Sequence, residues 1–414
     1  RWMPTWNVSG AWNVHEESFF PKLKPLSSLT FRVSYSLTGT PPDASYCNAL
    51  TKLSMNTPYR PTTTDKELGF VVAALGNDEL TYEKKHEFNF GVDAGFFNNR
   101  LNVTFDVYQR RNFDEIAPTV TQLYGTAYAN VGSMKSWGEE LSISSTNVKT
   151  NDFSWQTILI YSHNRTEITD LYNQGRVIDL VQGNGFAKQG YPARALFSIP
   201  FVGINEKGNP VCINEKGQAT VGDLNFQERN NTDYLIYEGS TDPIYNGSLG
   251  NTFNYKGFHL NLFLTYAFGN VVRLDPVFKA KYNDLTSMTH DFKNRWMQPG
   301  DENVTNVPGV VSRYEYEQNR TLLSTAYNAY NYTSVRTAKG DFIRLKEISL
   351  AYDFPHRWLE NSPVNNISLK LQATNLMLLY ADKKLNGQDP EFMNAGGVAS
   401  PMPKQFTLTL KLGL

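Results

Sequence analysis

Few residues able to do chemistry stand at spacings that would let them. His15-Glu16-Glu17 offers half of a zinc-binding helix motif and lacks the second histidine, and no Cys-x-x-Cys exists. Gly185 to Gly190 has the spacing of a phosphate-cradling loop, but Tyr191-Pro192 stands where Lys and Ser or Thr are required, so it reads as a plain loop. Glu139 and Glu140 are neighbours on a strand and point to opposite faces, which defeats paired acid–base work. Asp389 and Glu391 are hard oxygen ligands, too few for calcium; a bend fixed by Pro390, with both acids in solvent, is the better account. Cys47 and Cys212 lie far apart, form no framework and are expected to be unpaired. No catalytic residue, metal site or cofactor is expected.

What remains is recognition. Sugar rings present apolar faces that stack on Tyr or Trp, while their hydroxyls take Asn and Asp. Segment 269–340 suits this best: it holds Tyr314, Tyr316 and Asn331 besides the candidate substrate contacts Trp296, Tyr327, Asn328, Tyr330 and Tyr332. The competing account is that these tyrosines pack loops onto one another or onto a partner protein.

The elements that would carry such loops are strands. Leu29, Phe31, Val33, Tyr35 and Leu37 alternate with Thr30, Arg32, Ser34 and Ser36, which is the period of a two-faced ribbon. The pattern returns at 88–94, 101–107, 258–268, 367–373 and 406–414, and more weakly at 6–14, 140–147, 153–161, 249–255 and 342–354. That makes about eleven strands of about 9–12 residues, longer than soluble strands and long enough to cross hydrocarbon at a tilt. Tight links at Asn98-Asn99, 148–152 and Lys256-Gly257, with intermediate ones at 15–27 and 355–365, alternate with long segments at 38–86, 112–137, 164–247, 269–340 and 376–403. All short turns then lie on one side and all long loops on the other, the asymmetry of an outer-membrane barrel.

Aromatics cluster at the short turns: Phe19 and Phe20, Phe96 and Phe97, Phe153 and Trp155, Tyr255 and Phe258, Phe354 and Trp358. They are expected to form an interfacial girdle. Arg32, Asp93, Asp106, Lys370 and Lys411 must face a wet or protein-filled lumen, since Lys or Arg on the lipid face near the midplane costs about 2–4 kcal/mol. Mean hydropathy of -0.43 does not argue against this, because only one face of each strand is apolar. A net charge of -1 with scattered Lys and Arg gives no field for nucleic acid. An open sheet in lipid leaves two unsatisfied edges, so further strands and the export signal are expected upstream of Arg1.

Several stretches resemble the SusC-like family of TonB-dependent transporters. They are Gly76 to Lys84, Phe90-Gly91-Val92-Asp93, Phe96 to Leu101 and Asn130 to Met134 with Gly138, Glu140 and Leu141. Arg295-Trp296 with Pro299-Gly300-Asp301, Phe342 to Lys346 through Leu350-Ala351-Tyr352, Asn375-Leu376 and Asp389-Pro390-Glu391 complete the set. The resemblance covers essentially the entire chain. It implies an all-β transmembrane barrel of 22 strands, with residues 1–414 as its C-terminal part and the plug outside this chain. It further implies import of an oligosaccharide or oligopeptide, a SusD-like surface lipoprotein as lid, TonB contact through the plug, a lipid and lipopolysaccharide environment, and pairing of two transporter–lid units. Leu414 stands where such barrels usually end in an aromatic, so a residue or two are expected to follow it. A passive porin or structural surface barrel is the alternative.

Overall fold

The structure, a computed structural model, describes residues 2–413 apart from 21–24, 44–49, 57–68, 122–124, 173, 283–284, 286, 361–362 and 396–402. Eleven strands form one antiparallel sheet in strict chain order. They are β1 (Trp6–Asn13), β2 (Leu26–Thr40), β3 (Glu83–Phe96), β4 (Leu101–Thr121), β5 (Gly125–Lys149) and β6 (Phe153–Leu171). The second half comprises β7 (Tyr245–Tyr255), β8 (Phe258–Phe268), β9 (Phe342–Asp353), β10 (Asn366–Ala381) and β11 (Gln405–Gly413). The sheet is open, with β1 and β11 at its ends.

Register follows from the alternation. Phe31 stands opposite Val92, Val92 opposite Phe105, and Phe105 opposite Leu141, so each apolar face continues across its neighbours. A slip of one residue would bring Arg32 and Asp106 onto that face. The short turns allow little slip. Phe97, Asn98 and Asn99 all have positive φ (54°, 57° and 58°), a region in which Asn is tolerated because its short side chain bonds locally. Between β7 and β8, Lys256 and Gly257 are likewise left-handed, at 44° and 85°.

Two glycines admit close approach. A Cβ at Gly138 would lie 2.5 Å from the Tyr108 hydroxyl, and one at Gly247 would lie 2.5 Å from that of Tyr266. Each tyrosine sits directly across the ladder from its glycine and lies over it.

The aromatic side of the short turns is present with one correction. Phe19, Phe97, Tyr255, Phe258 and Trp358 are exposed, and Trp155 stacks on Phe253 at 5.7 Å. Phe20 instead turns inward, buried edge-on to His15 at 6.1 Å.

A larger correction concerns 112–137, expected as a long loop. The β4–β5 ladder runs on through it to the pair Thr121 and Gly125. Beyond the membrane neither face needs to be apolar, so the two-residue period disappears while backbone pairing continues. Bulges between Asn112 and Ile116, with Asp114 at φ 57°, bend this arm. Segment 76–83 buttresses it. Asn77 Nδ2 donates to the Tyr128 carbonyl, Thr81 and Asn130 exchange two hydrogen bonds, and Glu83 accepts from the Ile116 N–H.

The remaining long segments fold rather than wander. Residues 164–247 contain a short helix (Val177–Val181) and five short strands, and 269–340 contain helices Arg313–Gln318 and Arg320–Asn331. Their apolar side chains bury where the sheet offers no core. Val177, Leu180, Phe197, Ile199, Cys212 and Ala329 form one cluster; Ala280, Leu323, Ala326 and Tyr327 a second; Val272, Leu274, Ala338, Leu385 and Met393 a third.

Candidate functional site

The sheet has one apolar and one polar wall. On the polar wall Arg32 Nε lies 2.7 Å from Asp93 Oδ2 and its Nη2 3.1 Å from Asp106 Oδ2. Arg110 reaches Glu87 at 3.1 Å, which Lys85 also meets at 2.8 Å, and His259 bridges Asn254 and Asp353. Lys370 stands 3.9 Å from Glu347. These charges are half exposed, so each pair is worth at most about 1 kcal/mol. Their effect is to make a hydrated, charge-balanced wall. All five charges that the alternation assigned to a lumen share the strand face opposite the apolar ladder.

Above one end of this wall the loop segments pack into a roof. Helix Arg320–Asn331 places Leu323, Ala326, Tyr327 and Tyr330 on one stripe, spaced i, i+3, i+4 and i+7, and all four are buried. Ala329 joins the cluster of the preceding loop. Arg273, 5% exposed, ties the two loops by donating to the Thr333 and Phe197 carbonyls and to Ser198 Oγ, at 2.8, 2.6 and 3.0 Å. Burial pulls its pKa down to about 10. Arg344, at the roof end of β9, grips the third loop: its Nη2 lies 2.6 Å from both Asp389 oxygens and 3.2 Å from Glu391. Asp389 is buried, against the expectation of two solvated acids, because Arg344 neutralises it and the Glu391 N–H bonds it.

Residues 2–376 match the family model described as TonB dependent receptor-like, beta-barrel. The chain belongs to this family. TonB-dependent receptor P3 of Formosa agariphila is 25% identical over 92% of the chain and 37% of its own length. TonB-dependent receptor SusC of Bacteroides thetaiotaomicron is 25% identical over 100% of the chain and 40% of its own length. The structure titled "RagAB peptide transporter" superposes with a TM-score of 0.77 at 24% identity, over 99% of this chain and 43% of that one. The chain thus spans about two fifths of the relatives it matches. It is a SusC-like TonB-dependent receptor barrel segment of the outer membrane, its apolar wall against lipid and its polar wall inward.

Within this receptor the expected contacts are largely structural. Tyr327 is 1% and Tyr330 2% exposed. The Tyr327 hydroxyl donates to the Gly309 carbonyl at 2.5 Å, and Tyr330 lies edge-on to Phe278 and Phe201 at 5.0 and 5.7 Å. Neither can touch a solute, because the helix stripe they occupy is the one that packs. Tyr332, half-buried, meets Phe226 edge-on. Trp296 donates from Nε1 to Glu302 at 2.9 Å, and its ring covers Gly208 and Gly309, where a Cβ would come within 2.3 and 2.8 Å. That bond, with the Gly300 N–H, holds the Glu302 carboxyl below its usual range. Asn328 alone of the five is exposed.

A cavity of about 260 Å³ opens elsewhere in the roof, lined by Gln174, Lys188, Gln189, Asn230, Thr232 and Asp233 among others. Lys188 Nζ is held 3.0 Å from Asp233 and 3.2 Å from Thr232 Oγ1, beside the Phe197 ring. Periodicity gives no signal for it. The only pointer in the sequence is the Gly185–Gly190 stretch, read there as a plain loop. Cys212 is a buried free thiol pushed up to about 12 by desolvation, and Cys47 lies outside the described residues.

Proposed function

We propose that this chain is part of the barrel of an energised importer that takes a large nutrient, an oligosaccharide or oligopeptide, into the periplasm. The observation that carries the reading is the pairing of a hydrated inner wall with a roof built from three packed loops. Such a roof can present polar groups to a solute while keeping the mouth narrow. A further set of strands closes the sheet, since β1 and β11 would otherwise expose unpaired backbone to lipid. A plug fills the lumen and contacts TonB, and a SusD-like lipoprotein covers the roof. The relative titled a peptide transporter and the relative named SusC both suit this assignment. A passive porin has no use for a roof tied by buried Arg273 and Arg344.

The test is uptake by cells carrying the full-length transporter, with and without a functional TonB. Loss of uptake in the TonB-deficient strain is expected; undiminished uptake there sinks the importer reading in favour of a porin. Asn328→Ala, on the exposed side of the helix, is expected to weaken uptake without loss of folding if this helix meets cargo.

A further inference from the structure

The roof cavity beside Lys188 is lined by two turns, and each is held in place by bonds of its own. The turn Lys188 to Tyr191 closes with the Tyr191 N–H on the Lys188 carbonyl. It is tied to β6 by the Gly190 N–H on the Ile168 carbonyl, the Ile168 N–H on the Tyr191 carbonyl and Gln189 Nε2 on the Thr169 carbonyl. In the second turn Glu228 Oε1 accepts from the N–H groups of Arg229, Asn230 and Asn231, and so fixes the backbone that carries Asn230. Leu171, Leu180 and Ala187 supply an apolar patch in the lining.

One positive charge here is poorly balanced. The Lys188 side chain is only 21% exposed, with Nζ 5.2 Å from the centre of the Phe197 ring and 5.8 Å from that of Tyr191. Its anion, Asp233, is 94% exposed, and a pair so open to water is weak. An ammonium carries three N–H donors; Asp233 and Thr232 take two, and the third is unspent. The side-chain amides of Gln174 and Asn230, also in the lining, make no hydrogen bond among the described residues.

We infer that this cavity binds one carboxylate-bearing sugar residue, a uronate, as a unit of the cargo. The carboxylate takes the third Lys188 N–H and an amide N–H of Asn230 or Gln174, and a C–H face of the ring lies on Leu171, Leu180 and Ala187. A single ammonium with Asp233 close by suits a monoanion and repels a dianion such as phosphate. The volume, below the roughly 300 Å³ at which drug-sized sites begin, holds one ring and not a chain. The β6 edge beside the cavity is bonded at Ile168 by Gly190 and Tyr191, which take the place a peptide main chain would use. As a statement about cargo the inference rests on the importer reading, whereas binding in detergent does not, so loss of one leaves the other standing.

The experiment titrates the full-length transporter in micelles with methyl glucuronoside, its methyl ester, methyl glucoside and N-acetylglycine, reading each dissociation constant by saturation-transfer NMR. The ester and the glucoside are expected to bind roughly tenfold more weakly than the uronoside, the loss of one charge-assisted contact. Lys188→Met, which keeps the stem against the rings, should lose the same factor. Asp233→Asn, which removes the competing rim carboxylate, should bind the uronoside about threefold more tightly, a gain that a merely structural Lys188–Asp233 pair does not produce. Lys216→Gln, the same charge change elsewhere in this loop, should bind as the unmodified protein does. Heat-dependent migration in gels establishes that each variant is folded. Absent uronoside binding, equal binding by Lys188→Met, equal binding of the ester or glucoside, or N-acetylglycine bound as tightly as the uronoside would overturn the assignment.

Discussion

At the scale of single residues, the roof is where chemistry and packing are easily confused. Tyr330 is an aromatic in a loop rich in Asn, which is what a sugar platform looks like, yet it fills a core. Replacing it with Ala is expected to cost about 3–5 kcal/mol of local stability through the cavity left between Phe201 and Phe278. Limited proteolysis of the intact transporter should cut within 269–340 for Tyr330→Ala and leave Asn328→Ala untouched; equal resistance of the two would count against the packing role. Arg344→Met leaves the Asp389 carboxylate buried without its cation, a change expected to cost about 3–5 kcal/mol. Its signature would be a lower midpoint of heat-dependent gel migration, partly restored in R344M/D389N. A midpoint unchanged in Arg344→Met would show that the clamp contributes little.

At the scale of elements, the strands were legible because each must satisfy lipid on one face and water on the other. All eleven were readable from that constraint alone, as in the run from Leu29 to Leu37. Where the constraint lapses so does the signal: Glu115 to Thr121 pairs with Gly125 to Gly132 as ladder without a strict apolar alternation, and reads as loop. The roof was opaque for another reason. Its clusters join residues as distant as Val177 and Ala329, and nothing local marks Tyr327 as core and Asn328 as surface except the helix itself. The bend in the β4–β5 arm carries a pH dependence of its own. Burial raises the Glu115 carboxyl above its usual pKa, with Glu83 adding to the effect. The folded arm thus holds the proton to higher pH than the unfolded chain does, so this stabilising contribution is complete below the ordinary carboxylate pKa and is lost as pH rises through the raised one. Hydrogen exchange at residues 114–116, corrected for intrinsic rate, should be slower at pH 5 than at pH 8 in native protein, and Glu115→Gln should abolish the difference. A pH difference that survives in Glu115→Gln would assign it to another group.

At the scale of the molecule, the sheet is a wall with two open edges, and a wall of this kind is stable in lipid only when closed. Expressed alone, residues 1–414 are expected to give no heat-modifiable barrel, whereas co-expression with the remaining strands of the transporter should yield one from two pieces. A folded, membrane-inserted monomer from the chain alone would refute this. The bent β4–β5 arm extends about twelve residues past the rung of Gln109, roughly 40 Å along its own axis at strand rise. An arm of that reach is expected to be open to antibody on intact cells, whether or not the barrel carries cargo.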